Sequence, residues 1–264
     1  MTDCLRLEDP AAVLVPQWPA PPGVQALCST RHGGVSGDPW GRLNLGDHVG
    51  DDPGAVAENR ARWSRRLGVR PVFLRQVHGV RVVSLEATTP DGTEADACLA
   101  RAAGAACTIM VADCLPVLLC DTRGGRVGAA HAGWRGLAGV GGNAHAPVGP
   151  GVLEALAAHF DPDHTLAWLG PCIGPQAFEV GPEVKAAFEA ASAGAGDLFR
   201  PAGAGKWRAD LAGLARGRLA ALGITRVYGN DSGPAWCTVG NPSRFFSHRR
   251  DRVSGRLAAS IWLE

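Results

Sequence analysis

Short apolar runs, separated by clusters of Gly, Pro, Asp and Ser, recur along most of this chain. Runs of that length, rich in β-branched residues and bounded by turn residues, read as strands. They occupy residues 72–77, 80–85, 108–112, 117–120 and 126–130, the last two joined by the turn DTRGG, and again 166–169, 226–228 and 257–263. Helical periodicity appears over residues 151–160, 182–191 and 209–222, and earlier from Pro53 to Leu67. That first helix carries its own boundaries. Asp52 is a capping residue, Pro53 suits the first helical position, and Gly68 can close the last turn. Strands follow one another in the middle of the chain, so simple βαβ alternation does not describe it. An α+β sandwich with mixed sheets does. Residues 139–151, GVGGNAHAPVGPG, are too rich in Gly and Pro for regular structure and are expected to form a surface insertion.

Composition narrows the function classes. With 46% hydrophobic and 19% charged residues, the 264-residue chain has the balance of a globular protein that can bury a substantial core. A formal net charge of +1 gives no global field toward nucleic acid or anionic membrane. The longest apolar stretch, residues 102–120, is interrupted by Asp113 and too β-rich for a membrane-spanning helix. The N-terminal MTDCLRLEDP has no positive region followed by an apolar one, so no signal peptide is read and a cytoplasmic location is expected. Eight cysteines without a CxxC pair point to reduced, buried thiols rather than a ribbon or redox motif.

Three segments carry chemistry: RQVHG with His78, VADCLPV with Cys114 and AAHAGWRG with His131. Each ends a β-like run beside a turn, where side chains of neighbouring strands can converge. Separations of 36 and 17 residues are far too long for a zinc finger and fit ligands delivered by separate strands. Two imidazoles and a thiolate suit zinc, and three protein ligands leave a fourth position open. The same residues also make a metal-free hydrolase dyad, Cys114 as nucleophile and His131 as base. Spacing alone leaves both readings standing, beside the plainer one of a buried core Cys and a turn His.

QVHG, ADCLPVLL and HAGWRG, in this order, closely resemble the bacterial family once called laccase-like polyphenol oxidases. That family is now described as purine nucleoside phosphorylases with adenosine deaminase activity, and some members are called peptidoglycan editing factors. STRHGGVS, LNLGDHVGDD, the Asn59-Arg60 pair, GPCIGPQAFEVGPEV, WRADL and FFSHRRD extend the resemblance over nearly the whole chain, one domain over residues 1–264. It implies a layered α/β/β/α sandwich related to cysteine-hydrolase toxin domains, with zinc on His78, Cys114 and His131. The implied reaction is phosphorolysis of adenosine, inosine or methylthioadenosine, with deamination of adenosine at the same site. Nucleoside and phosphate would be the partners of a monomer or small homo-oligomer, with no nucleic acid or membrane involved.

Within the matched motifs, Arg31, Arg60 and Arg135 are candidates for phosphate or substrate contact, with surface ion pairing as the plainer role. Asn44 and Gln76 are candidates for ribose or base. Asp113 is a candidate either to orient a ligand or to cap a strand end, and Trp134 either to wall the purine or to fill the core; Cys172 and Cys237 are not separated from packing residues. Two departures stand out: the family's SYRRD reads SHRRD, placing His248 where Tyr is usual, and the 139–151 insertion follows HAGWRG. A multicopper oxidase needs a larger histidine set, typically in HxH pairs. With eight histidines and no such pair, copper is expected only as an adventitious occupant. Two other readings use the same cleft: a hydrolase editing muropeptide precursors, and a metal-stabilised binding protein without turnover.

Overall fold

The computed structural model describes residues 13–140, 149–192 and 194–264. In chain order come β1 (Val13–Leu14), β2 (Val24–Ser29), α1 (Pro53–Leu67), β3 (Arg70–Phe73), β4 (Val82–Ser84), β5 (Ala97–Ala100), β6 (Ala105–Val111) and β7 (Leu115–Asp121). Next are β8 (Val127–Ala132), α2 (Trp134–Ala138), α3 (Val152–Ala157), β9 (Thr165–Leu169), β10 (Glu179–Val180) and α4 (Pro182–Ala191). Finally come β11 (Phe199–Gly203), β12 (Lys206–Ala209), α5 (Leu211–Ala221), β13 (Val227–Gly229), α6 (His248–Asp251) and β14 (Leu257–Leu263).

Two mixed sheets pack face to face. One runs β1-β2-β14-β6-β3, with β3 parallel to β6 and the other pairings antiparallel. The other runs β13-β9-β7-β8-β5-β4, parallel at its two edges and antiparallel within. A small β10-β12-β11 sheet stands apart from both.

Successive residues of the central strands belong to different cores because side chains alternate across a strand. In β7, Leu118 and Cys120 fill the space between the sheets, with Ile109 and Val111 of β6 and Leu257 and Ala259 of β14. Val117 and Leu119 of the same strand face Leu137, Leu156, Phe188 and Leu214 from the helical layer α2–α5. On the opposite outer face, Trp63 and Leu67 of α1 pack on Phe73, Ala106, Met110 and Trp262. The result is the α/β/β/α order of layers. Strands buried on both faces lack polar alternation, which explains why their sequences read as unbroken apolar runs.

The boundaries of α1 fall where the sequence places them. The Asp52 carboxylate accepts the N–H of Ala55 at 2.7 Å. Gly68 adopts φ 72° and donates its N–H to the Ser64 carbonyl at 3.0 Å. The one polar atom that Trp63 carries into the core is satisfied: its indole N–H donates to Ser260 Oγ at 3.0 Å.

Differences have local causes. The run expected over 72–77 leaves the sheet after Phe73, because Gln76 pairs through its side chain. Its amide donates to the Met110 carbonyl and accepts the Met110 N–H, both at 2.8 Å. Strands β2 and β5 and the β11–β12 hairpin are additions to the expected set, and β5 reads only Ala-Cys-Leu-Ala, without a β-branched residue. Of the insertion expected over 139–151, residues 141–148 lie outside the described residues. The seven cysteines among the described residues are unpaired, and five of them are buried. No described helix is long and apolar enough to cross a membrane.

Candidate metal centre

Connections that pass from one sheet to the other supply the site. The β3–β4 link carries His78, the β6–β7 link carries Asp113 and Cys114, and the β13–β14 link carries residues 248–256. Beside them His131 lies near the end of β8. The three sequence candidates therefore do not all end strands: His78 sits in a turn, Cys114 just before β7, and His131 within β8.

One carboxylate organises both histidines. Asp96, fully buried just before β5, accepts the backbone N–H groups of Val77, His78 and Gly79 at 3.1, 2.8 and 2.8 Å. These bonds hold the His78 turn, in which His78 itself takes a left-handed φ of 62°. The same carboxylate lies 2.8 Å from His131 Nδ1, which leaves Nε2 as that ring's ligand atom. Asp113, at φ 93°, is fixed by the Thr238 hydroxyl and the Arg249 N–H, both 2.6 Å from its carboxylate.

His78 Nε2 then lies 3.8 Å from Cys114 Sγ, and one ligand atom from each of His78, Cys114 and His131 falls within 4.8 Å of the others. The two imidazoles meet edge to face, 4.7 Å between centroids. Glycine is needed beside them. A Cβ at Gly133 would sit 2.9 Å from His78 Cδ2 and 3.1 Å from Cys114 Sγ, and one at Gly136 2.7 Å from the Gly79 carbonyl.

Electrostatics prepare the thiol as a ligand. Burial pushes Cys114 up, but the charge and hydrogen bond of His131, with help from His78, bring it down from 9.0 to about 6. Burial likewise disfavours charge on His131, yet the Cys114 thiolate and Asp96 raise it from 6.5 to about 9. Burial also opposes charge on Asp96, but His131 and the N–H groups of Gly79 and Val77 outweigh it and hold its carboxyl below the usual range. The two shifts run in opposite directions, so each group favours the charged form of the other.

The centre opens into a cavity of about 470 Å³, the scale of a small-molecule site. Trp134, Ile173, Phe178 and Leu211 give it apolar walls, and Arg135, Arg249, Arg252 and Arg256 supply cations. Among the residues expected to meet substrate, Arg135 and Gln76 line this cavity, although both ends of the Gln76 amide are engaged by Met110. Arg31, Asn44 and Arg60 lie outside it. Arg31 donates to the carbonyls of Gly41 and Pro242, both at 2.8 Å. Asn44 is fully buried and bonds Gly46, Asp51 and the Arg256 N–H. Arg60 donates to the Leu45 carbonyl and pairs with Asp47 at 3.2 Å. Trp134 and His248 line the cavity, whereas Cys172 and Cys237 meet in an isolated β-bridge behind it.

Two imidazoles, one depressed thiol, a carboxylate orienting the buried ring and an open side facing a cavity form a donor set that fits a tetrahedral transition-metal ion. The fold and this centre define a class: a metal-capable small-molecule site built where two packed sheets exchange strands. More specifically, the chain belongs to the family described as multi-copper polyphenol oxidoreductase laccase, which matches residues 25–264.

Relatives include the purine nucleoside phosphorylase PA4543 of Pseudomonas aeruginosa, 51% identical over 96% of this chain and 99% of its own length. The purine nucleoside phosphorylase YfiH of Escherichia coli is 47% identical over 95% and 98%. Among solved structures, the Neisseria meningitidis protein NMB0706 superposes with a TM-score of 0.87 at 42% identity, covering 96% of this chain and 99% of that one. YlmD from Geobacillus stearothermophilus gives 0.78 at 30% identity, covering 100% and 98%.

Proposed function

We propose that the protein is a zinc-dependent purine nucleoside phosphorylase acting on adenosine, inosine and methylthioadenosine, and that the same cavity deaminates adenosine. The observation that carries this reading is the juxtaposition of the His78–Cys114–His131 cluster with a cavity large enough for a nucleoside. The names of the relatives supply the reaction class. His78, Cys114 and His131 would hold the metal, and when bound it supplies a Lewis acid at the cavity floor.

The chain's own residues do the rest. Trp134 and Phe178 offer flat apolar surfaces for a purine. Asp96 orients the His131 imidazole and holds the backbone turn that carries His78. Arg135 stands at the wall beside the cluster. Arg31, Asn44 and Arg60, which bond to neighbouring backbone and carboxylates outside the cavity, are given no substrate contact in this reading. The reading places the protein in the cytoplasm, where nucleosides and phosphate are both available.

Incubating metal-verified protein with adenosine, with and without phosphate, tests the reading. Adenine should be released only with phosphate, inosine should form without it, and both products should vanish in His78→Ala and Cys114→Ala. Fully zinc-loaded protein that leaves adenosine intact would refute it.

Copper also suits a thiolate and two imidazoles, and the family's description points that way. The described residues contain one such three-donor group, enough for a single ion. We therefore expect copper loading to give at most slow phenol oxidation, measured against the zinc-loaded protein.

A further inference from the structure

The cavity wall is unusual in its charge. Several arginines elsewhere face carboxylates: Arg60 pairs with Asp47, Arg62 with Glu58, Arg123 with Asp121, and Arg218 with Glu154. Around the cavity four arginines gather with a single carboxylate, Asp113. Both of its oxygens are already engaged, one by the Thr238 hydroxyl and the other by the Arg249 N–H.

The four cations divide into two kinds. Arg249 and Arg256 are anchored: Arg249 donates to the Glu179 carbonyl at 2.9 Å, and Arg256 to the carbonyls of Ser254 and Gly255 at 2.9 and 3.1 Å. Arg135 and Arg252 are not. The Arg135 guanidinium lies over the Trp134 ring, 4.5 Å from its centroid, and makes no hydrogen bond or ion pair among the described residues. Arg252, in the β13–β14 link, likewise has no side-chain partner among them, and its backbone is held by an N–H donated to the His248 carbonyl at 2.9 Å. Two guanidinium forks with free donors, on two different elements, border the space into which the Cys114–histidine cluster opens. Forked donors of this kind match the oxygens of a tetrahedral oxyanion.

We propose that Arg135 and Arg252, backed by the fixed charges of Arg249 and Arg256, form the subsite that holds inorganic phosphate as the acceptor in glycosidic cleavage. The identity of the anion rests on the phosphorylase reading; the existence of an anion subsite rests on the wall itself. In that reaction a phosphate oxygen bonds to the sugar C1′ as the C1′–N bond breaks. The bond's electron pair leaves with the base, and the proton of hydrogen phosphate ends on the base nitrogen. Adenosine and hydrogen phosphate thus become adenine and a pentose 1-phosphate dianion.

The test uses metal-loaded, full-length protein and the variants Arg135→Gln and Arg252→Gln, with Arg200→Gln on exposed β11 as the control. Binding of inorganic phosphate and of a pentose 1-phosphate is followed by titration calorimetry. KM is measured separately for phosphate and adenosine, and thermal unfolding checks that each variant folds. Losing a charge-assisted contact should weaken phosphate binding, and raise its KM, by about 10- to 100-fold, with a much smaller change in adenosine KM and none in Arg200→Gln. Phosphate affinity unchanged in both cavity variants would overturn the proposal. Arginine-dependent binding of the sugar phosphate but not of free phosphate would overturn the acceptor assignment. Arginine-dependent phosphate binding in a protein that never cleaves adenosine would sustain the subsite while the phosphorylase reading fell.

Discussion

Asp96 does not itself line the cavity, yet through hydrogen bonds to His78 and His131 it sets the positions of two of the three candidate ligands. Its carboxylate takes up three consecutive N–H groups of the His78 turn and the far nitrogen of His131, all without exposure to solvent. An amide in its place keeps the shape but turns one oxygen into a donor facing other donors. Asp96→Asn should therefore lower zinc affinity by about 10- to 100-fold, read by competition with a chromogenic chelator. Unchanged affinity would show that the histidines are positioned by something else. His78, Cys114 and His131 were legible in the sequence because motif and turn residues flank each of them. Asp96 was not. It sits in EADACLA as an ordinary acidic residue, and its partners lie 17 to 35 positions away. Arg31, Asn44 and Arg60 show the converse: their polar character was legible, but the backbone carbonyls and carboxylates that engage them come together only in the fold.

At the scale of elements, α2 is the most constrained piece. It starts at the ligand cluster, and its glycines permit the close approach. Gly133→Ala should displace His78 or Cys114 and abolish stoichiometric metal binding with far-UV circular dichroism unchanged. Gly217, inside α5, is the contrasting case, since a Cβ there would meet nothing within 4 Å. Gly217→Ala should stabilise the protein by about 0.5–1 kcal/mol, seen as a raised denaturation midpoint; a lowered midpoint would contradict the open space. Elements with strong local signals, α1 with its caps and β14 with its apolar run, fall where the sequence puts them. The missed ones are those whose strand character comes from neighbours: β5 is held by β4 and β8 despite its small residues, and β11 and β12 hold each other.

The molecule as a whole places its chemistry where the chain changes sheets. Crossing links must leave regular pairing, so their side chains and backbone groups are free to be arranged around a cavity. The layered α+β class could be read from the order of runs, because consecutive strands excluded a simple alternation. Which links meet at one end could not, since that depends on parallel pairing of β3 with β6 at long range.

Burial of β7 and β8 on both faces has a consequence for how preparations of this protein are judged. Where one face of a sheet is wet, a one-residue slip exposes apolar side chains and is rejected at once. Here a slipped strand would still bury a hydrophobic set on either side, while carrying His131 away from Cys114. Such a molecule would be compact, soluble and rich in sheet, and it would have lost its donor set. Refolded material should accordingly divide into fractions of equal secondary structure but unequal capacity to bind added metal. Metal stoichiometry measured across a size-exclusion peak would reveal them, and uniform occupancy would show that packing alone enforces the pairing. Quality control for this fold belongs to the metal assay rather than to the spectrum.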